Sequence, residues 1–309
     1  MKPFAILVEA NSDVPEQFAK DYNLDVIPGH LSLPDKSERT IYTRWEGWTR
    51  EEFYKDLKKN PDGYQTAPAS VGEMKEAMVR HIKNGEDILV ITISAAISGA
   101  YGFTLQAKEL ALQECPDANI NVVDSLRFGP GFALISVYAA MLRNEGKDLA
   151  EVTAWVEEHK SHFHQAGWLD DLSFVAKKGR LTHAKAFFGQ LAGVKPIGEF
   201  DYNGLTTIIG KAAGAKAAYA ALMQYIEATI EKPEEQIIFI AQTNRLAFAE
   251  EYKKMIEEKF HPKAVYITDV YPLCGVNVGP GLMAAYYQGK EISKDLSVER
   301  AIIEKALAK

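Results

Sequence analysis

Thr66, Ser94 and Arg180 are small or cationic polar residues standing between or just after segments that read as regular structure. Arg180 is always charged and matches a carboxylate with paired donors, although it could equally be a surface residue. Ser94 ends the run Ile88 to Ile93, whose β-branched apolar residues read as a buried strand of the parallel type. Ser98 and Gly99 then open a helical segment carrying Tyr101, Leu105, Leu110 and Leu112. In an open α/β sheet such a strand-to-helix loop is where ligands bind, because unpaired N–H groups and the positive helix end converge there. Ser94 is thus placed to meet an anionic head group. The plainer reading makes Ser94 and Ser98 turn and capping residues with no ligand.

Other chemistries find less support. Asp170 and Asp171 could serve as acid and base, but adjacent carboxylates point to opposite faces of a strand, and a capping or turn pair is the simpler account. His159, His162 and His164 lack a carboxylate or Cys at metal-ligand spacing and read as a partly solvated helix end, so no metal is expected. A phosphate-binding loop, a G-x-G-x-x-G fingerprint and a G-x-S-x-G elbow are all missing, which argues against nucleotide cofactors and a hydrolase triad. No catalytic residue and no cofactor are assigned.

The elements that must position these side chains alternate in the first half. Phe4 to Val8 reads as a strand, Leu24 to Leu33 as one extended stretch interrupted at Pro28-Gly29, and Ile120 to Val123 as a further strand. Capping boxes at Thr49 to Glu52, Ser70 to Glu73 and Asp148 to Glu151 start helices. Tyr64 to Ser70 reads as a loop of small residues presenting Thr66, and Gly129-Pro-Gly131 leads into an apolar helix from Phe132 to Leu142. Alternating strands and helices predict a parallel sheet covered on both faces. A domain boundary is placed at residue 162, giving domains 1–162 and 163–309. In the second half Lys177 to Arg180 is a basic turn, and Val194 to Phe200 and Leu205 to Ile209 flank Asp201-Tyr-Asn-Gly204, an Asn-Gly hairpin signal. A helix over about 212–230 and strands at Gln236 to Ala241 and Ala264 to Thr268 predict a mixed sheet. Gly279-Pro-Gly281 before Leu282 to Tyr287 invites comparison with Gly129-Pro-Gly131 as an architectural echo, and Ser297 to Lys309 reads as an added helix.

Whole-chain properties fit a soluble protein. The 309 residues allow two cores, and 47% apolar with 25% charged content is ordinary. A formal charge of -7 argues against a grip on nucleic acid. Cys115 and Cys274 show no metal spacing and are expected as free thiols. No signal peptide or spanning segment is read, so the expected location is cytoplasmic.

Taken together, these stretches resemble the DegV family of fatty-acid-binding proteins, the lipid-carrying subunit of bacterial fatty acid kinase. Thr66-Ala-Pro-Ala-Ser70 resembles the family's Thr-Ser-Gln-Pro-Ser loop, and Ile93 to Tyr101 its Ser-Ser-x-x-Ser-Gly-Thr-Tyr motif. Val123-Asp-Ser125 with Gly129 to Gly131, Leu169 to Leu172 with Lys178 to Leu181, and Val276 to Gly281 complete the match over residues 4 to about 290. The resemblance implies an α/β protein of two domains. The N-terminal one is a three-layer α/β/α domain with a parallel sheet, of the DegV or EDD type, and the C-terminal one an α/β domain with a mixed sheet. It implies an acyl chain enclosed between or beneath them, with the carboxylate presented to a separate DAK-like kinase for acyl phosphate formation.

Carried over by motif, ligand-binding positions fall on Thr66, Ser94, Ala95, Ser98, Arg180 and Asn277. Ala95 stands where the family has a second Ser, Ala100 where it has Thr, and Asn277 where it has His. Asn cannot take a positive charge or shuttle a proton. Glu9-Ala-Asn-Ser-Asp13 replaces an Asp-Ser start. A long-chain fatty acid is the expected ligand, with transient membrane contact. The rival readings are a carrier of another amphipathic carboxylate and a small-molecule enzyme using Ser94.

Overall fold

The computed structural model describes residues 2–181 and 193–308. By internal packing the chain divides into two units. The first holds residues 1–47, 62–160 and 271–273, and the second holds 48–61, 161–270 and 274–309.

In the first unit, β1 (Phe4–Glu9), β2 (Leu24–Ile27), β6 (Asp87–Thr92) and β7 (Ile120–Asp124) form a sheet in the order β2-β1-β6-β7, every pair parallel. Unbroken apolar runs suit strands buried on both faces. Helices α3 (Val71–Lys83) and α4 (Ala100–Glu114) cover one face, where Leu7, Met74, Met78, Val90, Ala107 and Ala111 share a core. Helices α5 (Gly129–Asn144) and α6 (Leu149–His159) also pack on the sheet's strands, completing the three-layer architecture. Within α4 the small residues Ala100, Thr104, Ala107 and Ala111 are buried, whereas Leu105 and Leu110 are exposed. Short α1 (Glu16–Asp21) precedes β2.

The stretch Leu24 to Leu33 is two strands in two sheets. Beyond Pro28 the chain leaves the parallel sheet, and β3 (Gly29–Ser32) pairs antiparallel with β4 (Glu38–Ile41) and β5 (Gln65–Ala67). Proline lacks the N–H needed to continue a central strand, so the break falls there. Thr66 accordingly lies on a strand opposite Leu31, which corrects the expected loop.

The second unit contains α2 (Arg50–Lys59) and a six-stranded mixed sheet, β10-β9-β8-β13-β11-β12. Its strands are β8 (Phe163–Leu169), β9 (Val194–Phe200), β10 (Thr206–Ala213), β11 (Ile237–Gln242), β12 (Ala264–Asp269) and β13 (Leu282–Gln288). Among the described strands of this sheet, β11 and β12 pair in parallel and the other neighbours antiparallel. The Asn-Gly turn joins β9 to β10 as the hairpin expected, and Gly204 takes φ +83° there. Helices α8 (Ala215–Thr229), α9 (Leu246–Phe260) and α11 (Ser297–Leu307) bury their apolar faces in the core that contains Trp168, Tyr252 and Tyr287. Lys309, at the end of the expected added helix, lies outside the described residues.

His164 is not at a solvated helix end. It sits on β8, fully buried, with Nδ1 3.2 Å from Glu199 Oε2 and 3.0 Å from the Tyr225 hydroxyl. Glu199 also accepts from the backbone N–H groups of Gln165 and Phe200, so the buried polar cluster is hydrogen-bonded from several sides.

The two Gly-Pro-Gly segments are not architectural echoes. The first starts helix α5, whereas the second joins α10 (Pro272–Val278) to strand β13. Gly279 has φ +75°, and a Cβ there would lie 2.3 Å from the Phe174 ring on α7 (Ser173–Lys177). Gly146, at φ +90°, faces open space. Gly279→Ala is therefore expected to cost about 2 to 4 kcal/mol from backbone strain plus overpacking. Gly146→Ala should cost only the strain, about 1 to 2 kcal/mol. Urea denaturation followed by circular dichroism measures both, and equal losses would contradict the steric role of Phe174.

Candidate functional site

All strands of the parallel sheet end on one edge, so the residues at their carboxyl ends gather there. Glu9 lies one residue beyond the Val8–Ile91 pair, level with Thr92, and Thr92 pairs with Asp124. Leu7 and Val90 belong to the core beneath α3 and α4, and side chains alternate along a strand, so Glu9 and Thr92 continue onto that same face. Asp124 follows in the same way from Ile120, another member of that core. The sheet edge thus carries a row of Glu9, Thr92 and Asp124, one strand apart at about 4.8 Å each.

Ser94 is fully buried just past β6. Its N–H donates to Arg127 O (3.0 Å), its carbonyl accepts from Ile97 N (3.1 Å) and Ser98 N (3.2 Å), and its Oγ accepts from Ala96 N (3.2 Å). Ala95 is exposed, and its N–H donates to Asp124 Oδ2 (3.2 Å). Ser98 Oγ accepts from Ala100 N (3.2 Å) at the start of α4. The N–H groups of residues 95 to 98 are therefore all used within the protein. This corrects the expectation of unpaired N–H groups in this loop.

Two further ties were not legible locally. Ser125 N–H donates to Thr92 O (3.1 Å), and buried Arg127 donates from NH1 to Leu126 O (2.7 Å), with Leu126 at φ +55°. The loops after β6 and β7 are thus laced into one body. Asp124 accepts from Leu126 N (2.9 Å) as well as from Ala95. Burial nevertheless holds its carboxyl above the usual range, against the pull of those two N–H groups.

Glu9 is the stronger case. Burial pushes it up to about 7, although the Asn11 side chain and the Ala69 N–H hydrogen-bond the charged form. Its Oε2 is buried and meets no hydrogen-bond partner among the described residues. Ala69 belongs to the segment between Thr66 and helix α3, where Ser70 and Glu73 close a capping box and His30 Nε2 lies 2.8 Å from Glu73. Glu9 thereby links the edge to the Thr66 segment. The signal in the sequence was a lone acid ending the apolar run Phe4 to Val8. Ser94 and Glu9 are both sealed from solvent, so a solute would reach them only through local opening.

In the second unit Arg180 is half-buried in the turn after α7. Its N–H donates to Val175 O (3.0 Å) and its NH1 to Lys178 O. Asn277 is half-buried on α10. The Phe174–Gly279 approach brings the elements bearing Arg180 and Asn277 together.

Asp171 Oδ1 accepts from Ser173 N (2.8 Å), a turn role. Asp170 instead accepts from Trp168 Nε1 (3.1 Å), Lys195 Nζ and Arg245 Nε (2.6 Å). Its carboxylate is committed to two cations that lie far away in sequence. Among the described residues no group of three or more His, Cys, Asp or Glu is placed to hold a metal, and no described helix is long and apolar enough to cross a membrane.

The sequence matches the family described as "Uncharacterised protein, DegV family" over residues 3–290. It is 31% identical over 291 residues to a DegV domain-containing protein of Clostridium perfringens (strain 13 / Type A), covering 94% of this chain and 98% of that one. In structure it is similar to a DegV lipid-binding protein from Thermotoga maritima, with TM-score 0.80, 22% identity, and 94% and 99% of the two chains covered. It is also similar to the Streptococcus pneumoniae fatty acid kinase (Fak) B3 protein loaded with linoleic acid, with TM-score 0.78, 18% identity, and 93% and 100% covered. At these identities the structural likeness establishes the fold.

Glu9 makes stability depend on pH in a defined direction. Its folded value of about 7 lies above the ordinary 4.5, so the folded state binds the proton more tightly than the unfolded chain. Stability therefore falls as pH rises from 4.5 to about 7, and the full cost, about 3 kcal/mol, is present above it. Glu9→Gln, neutral throughout, should be more stable than the parent protein at pH 8 and little different at pH 4.5. Thermal melts at the two pH values check this, and an equal difference at both would refute it.

Proposed function

The chain belongs to the DegV family, and on that premise we propose that it is a fatty-acid-binding protein that encloses one acyl chain and presents the carboxylate to a separate kinase. The kinase, of the DAK-like kind, would form the acyl phosphate, and this chain would carry no catalytic residue and no cofactor. The observation that carries the reading is likeness of fold along nearly the whole chain to proteins solved as lipid binders, one of them loaded with linoleic acid. Thr66 and Ser94 are proposed to hold the carboxylate, with Ala95 and Ser98 shaping the turn beside it. Arg180 would supply positive charge, and Asn277 a neutral polar contact. A cytoplasmic location and transient membrane contact for lipid exchange belong to the same proposal.

Magnitudes favour an apolar ligand. Burial contributes about 0.8 kcal/mol per methylene, so a chain of roughly sixteen carbons offers on the order of 12 kcal/mol before ordering and association costs. Each hydrogen bond to a charged head adds about 1.5 to 3 kcal/mol. Head-group substitutions should therefore alter which head is accepted more than whether a lipid binds. The exposed Ala95 and the neutral Asn277 favour, as a second reading, an amphipathic carboxylate other than a simple fatty acid. The use of Ser94 as an enzyme nucleophile gains less: His30, His81, His159, His162 and His164 each make hydrogen bonds elsewhere.

Mass spectrometry of organic extracts of the purified protein should find an acyl carboxylate, and Ser94→Ala should weaken rebinding by roughly tenfold. Absence of any acyl carboxylate, together with failure of the stripped protein to bind one, would end this reading. Asn277→His restores a side chain able to carry charge and should raise phosphorylation of bound lipid by a matching kinase several-fold. Unchanged turnover at saturating carrier would remove that role.

A further inference from the structure

The row of side chains at the sheet edge places two acids, Glu9 and Asp124, where the lipid-binding reading puts an anionic head, and among the described residues no cation pairs with Glu9. Arg127 is turned to the carbonyl of Leu126, and Lys160 pairs with Glu157 at 2.6 Å. A charged Glu9 would repel a fatty carboxylate, whereas a neutral one would offer it an O–H donor. We propose that Glu9 is a further head-group contact, entering the complex as a carboxylic acid and donating its O–H to an oxygen of the bound carboxylate. The proposal rests on the lipid-binding reading and deepens it by making binding proton-linked.

Three observations carry it. Glu9 is fully buried, so its proton is shielded from exchange with solvent. One of its oxygens, Oε2, meets no partner among the described residues and is left for a ligand atom. Its other interactions run to Asn11 and to the Ala69 N–H, in the segment that leads from Thr66 to α3.

Among the described residues, no counter-ion acts on Glu9. On β2, Asp25 is held by Arg80 and His81 of α3. Glu73 at the start of α3 is paired with His30 of β3, and Asp124 stands across Thr92 on β7. Asp13 accepts from Tyr271 N (2.9 Å). Helix α5 presents Gly129 to Val137, apolar but for Ser136, whose hydroxyl donates to Phe132 O, and its Arg143 reaches the carbonyls of Tyr22 and Asn23. What acts on Glu9 is chiefly burial, and burial favours the neutral acid.

The step is a hydrogen bond in which the proton stays on Glu9. Above neutral pH that proton is drawn from the buffer as the ligand binds, and no bond to carbon changes. Isothermal titration calorimetry of the delipidated full chain with oleate at pH 8, in buffers of different ionisation enthalpy, reads the proton count directly. The expected result is uptake approaching one proton per oleate, with affinity falling about tenfold per pH unit above pH 7. Glu9→Gln should keep a donor, bind with little pH dependence and take up none. If Glu9→Gln does not fold, the carboxyl carbon resonance of Glu9 in the unmodified protein supplies the second measurement and should stay that of the neutral acid at pH 8 when oleate is bound. Oleate binding without proton uptake, or an ionised Glu9 in the complex, would overturn this inference and leave lipid binding intact. No oleate binding at any pH would overturn both.

Discussion

Burial of carboxyl groups at the carboxyl edge of an all-parallel sheet is the constraint around which the first unit is arranged. Parallel strands end together, so whatever polar residues terminate them are buried together. Glu9, Thr92 and Asp124 are the result, and removing a carboxylate from water costs several kcal/mol unless donors replace the water or the group takes up a proton. Both remedies are present. Asp124 receives two backbone N–H groups, and Glu9 takes up its proton at a pH well above the ordinary carboxylate range. The same hydrogen bonds lace the loops after β6 and β7 into one body around Ser94, so the desolvated acids and the buried hydroxyl form a single structural problem.

The second unit meets a comparable problem by ion pairing. Asp170, at the end of β8, is held by Lys195 and Arg245, and the Lys195 ammonium lies 5.8 Å from the ring centres of Trp168 and Phe248. Gly281 is needed beside it, because a Cβ there would come within 2.8 Å of Asp170 Cβ. Gly279 and Gly281 therefore allow backbone to approach α7 and β8 more closely than any side chain would permit. The Asp170-Asp171 pair divides its labour accordingly, one member anchoring a strand end and the other capping the turn that leads towards Arg180.

Local signals were legible wherever the physics is local. The capping boxes at Thr49, Ser70 and Asp148 start helices as expected, because hydroxyl or carboxylate and backbone satisfy each other within one turn. The run Ile88 to Ile93 delivers Ser94 to a strand end, and the Asn-Gly turn closes its hairpin. Where partners come from afar, the sequence is mute. Pro28 marks a break but does not say that β3 will join a second sheet. His164 sits five residues past a helix that ends at His159, yet Glu199 and Tyr225 bring it into a core. In α4 the buried residues are the small Ala100, Thr104, Ala107 and Ala111, while Leu105 and Leu110 stay exposed, and nothing local in the sequence marks that choice.

From the sequence alone came the alternation that forces a parallel sheet, the position of its central strand end and the likeness to the DegV family. These depend on residue type and short-range periodicity, which a linear chain displays in full. Only the tertiary structure decided that the N–H groups after Ser94 are consumed internally, that Glu9 stands level with Thr92 and Asp124, and that Asp170 belongs to Lys195 and Arg245. Each of these depends on strand register or on groups tens of residues apart. Solvation and charge are set by neighbours in space, and those are chosen when the sheet assembles.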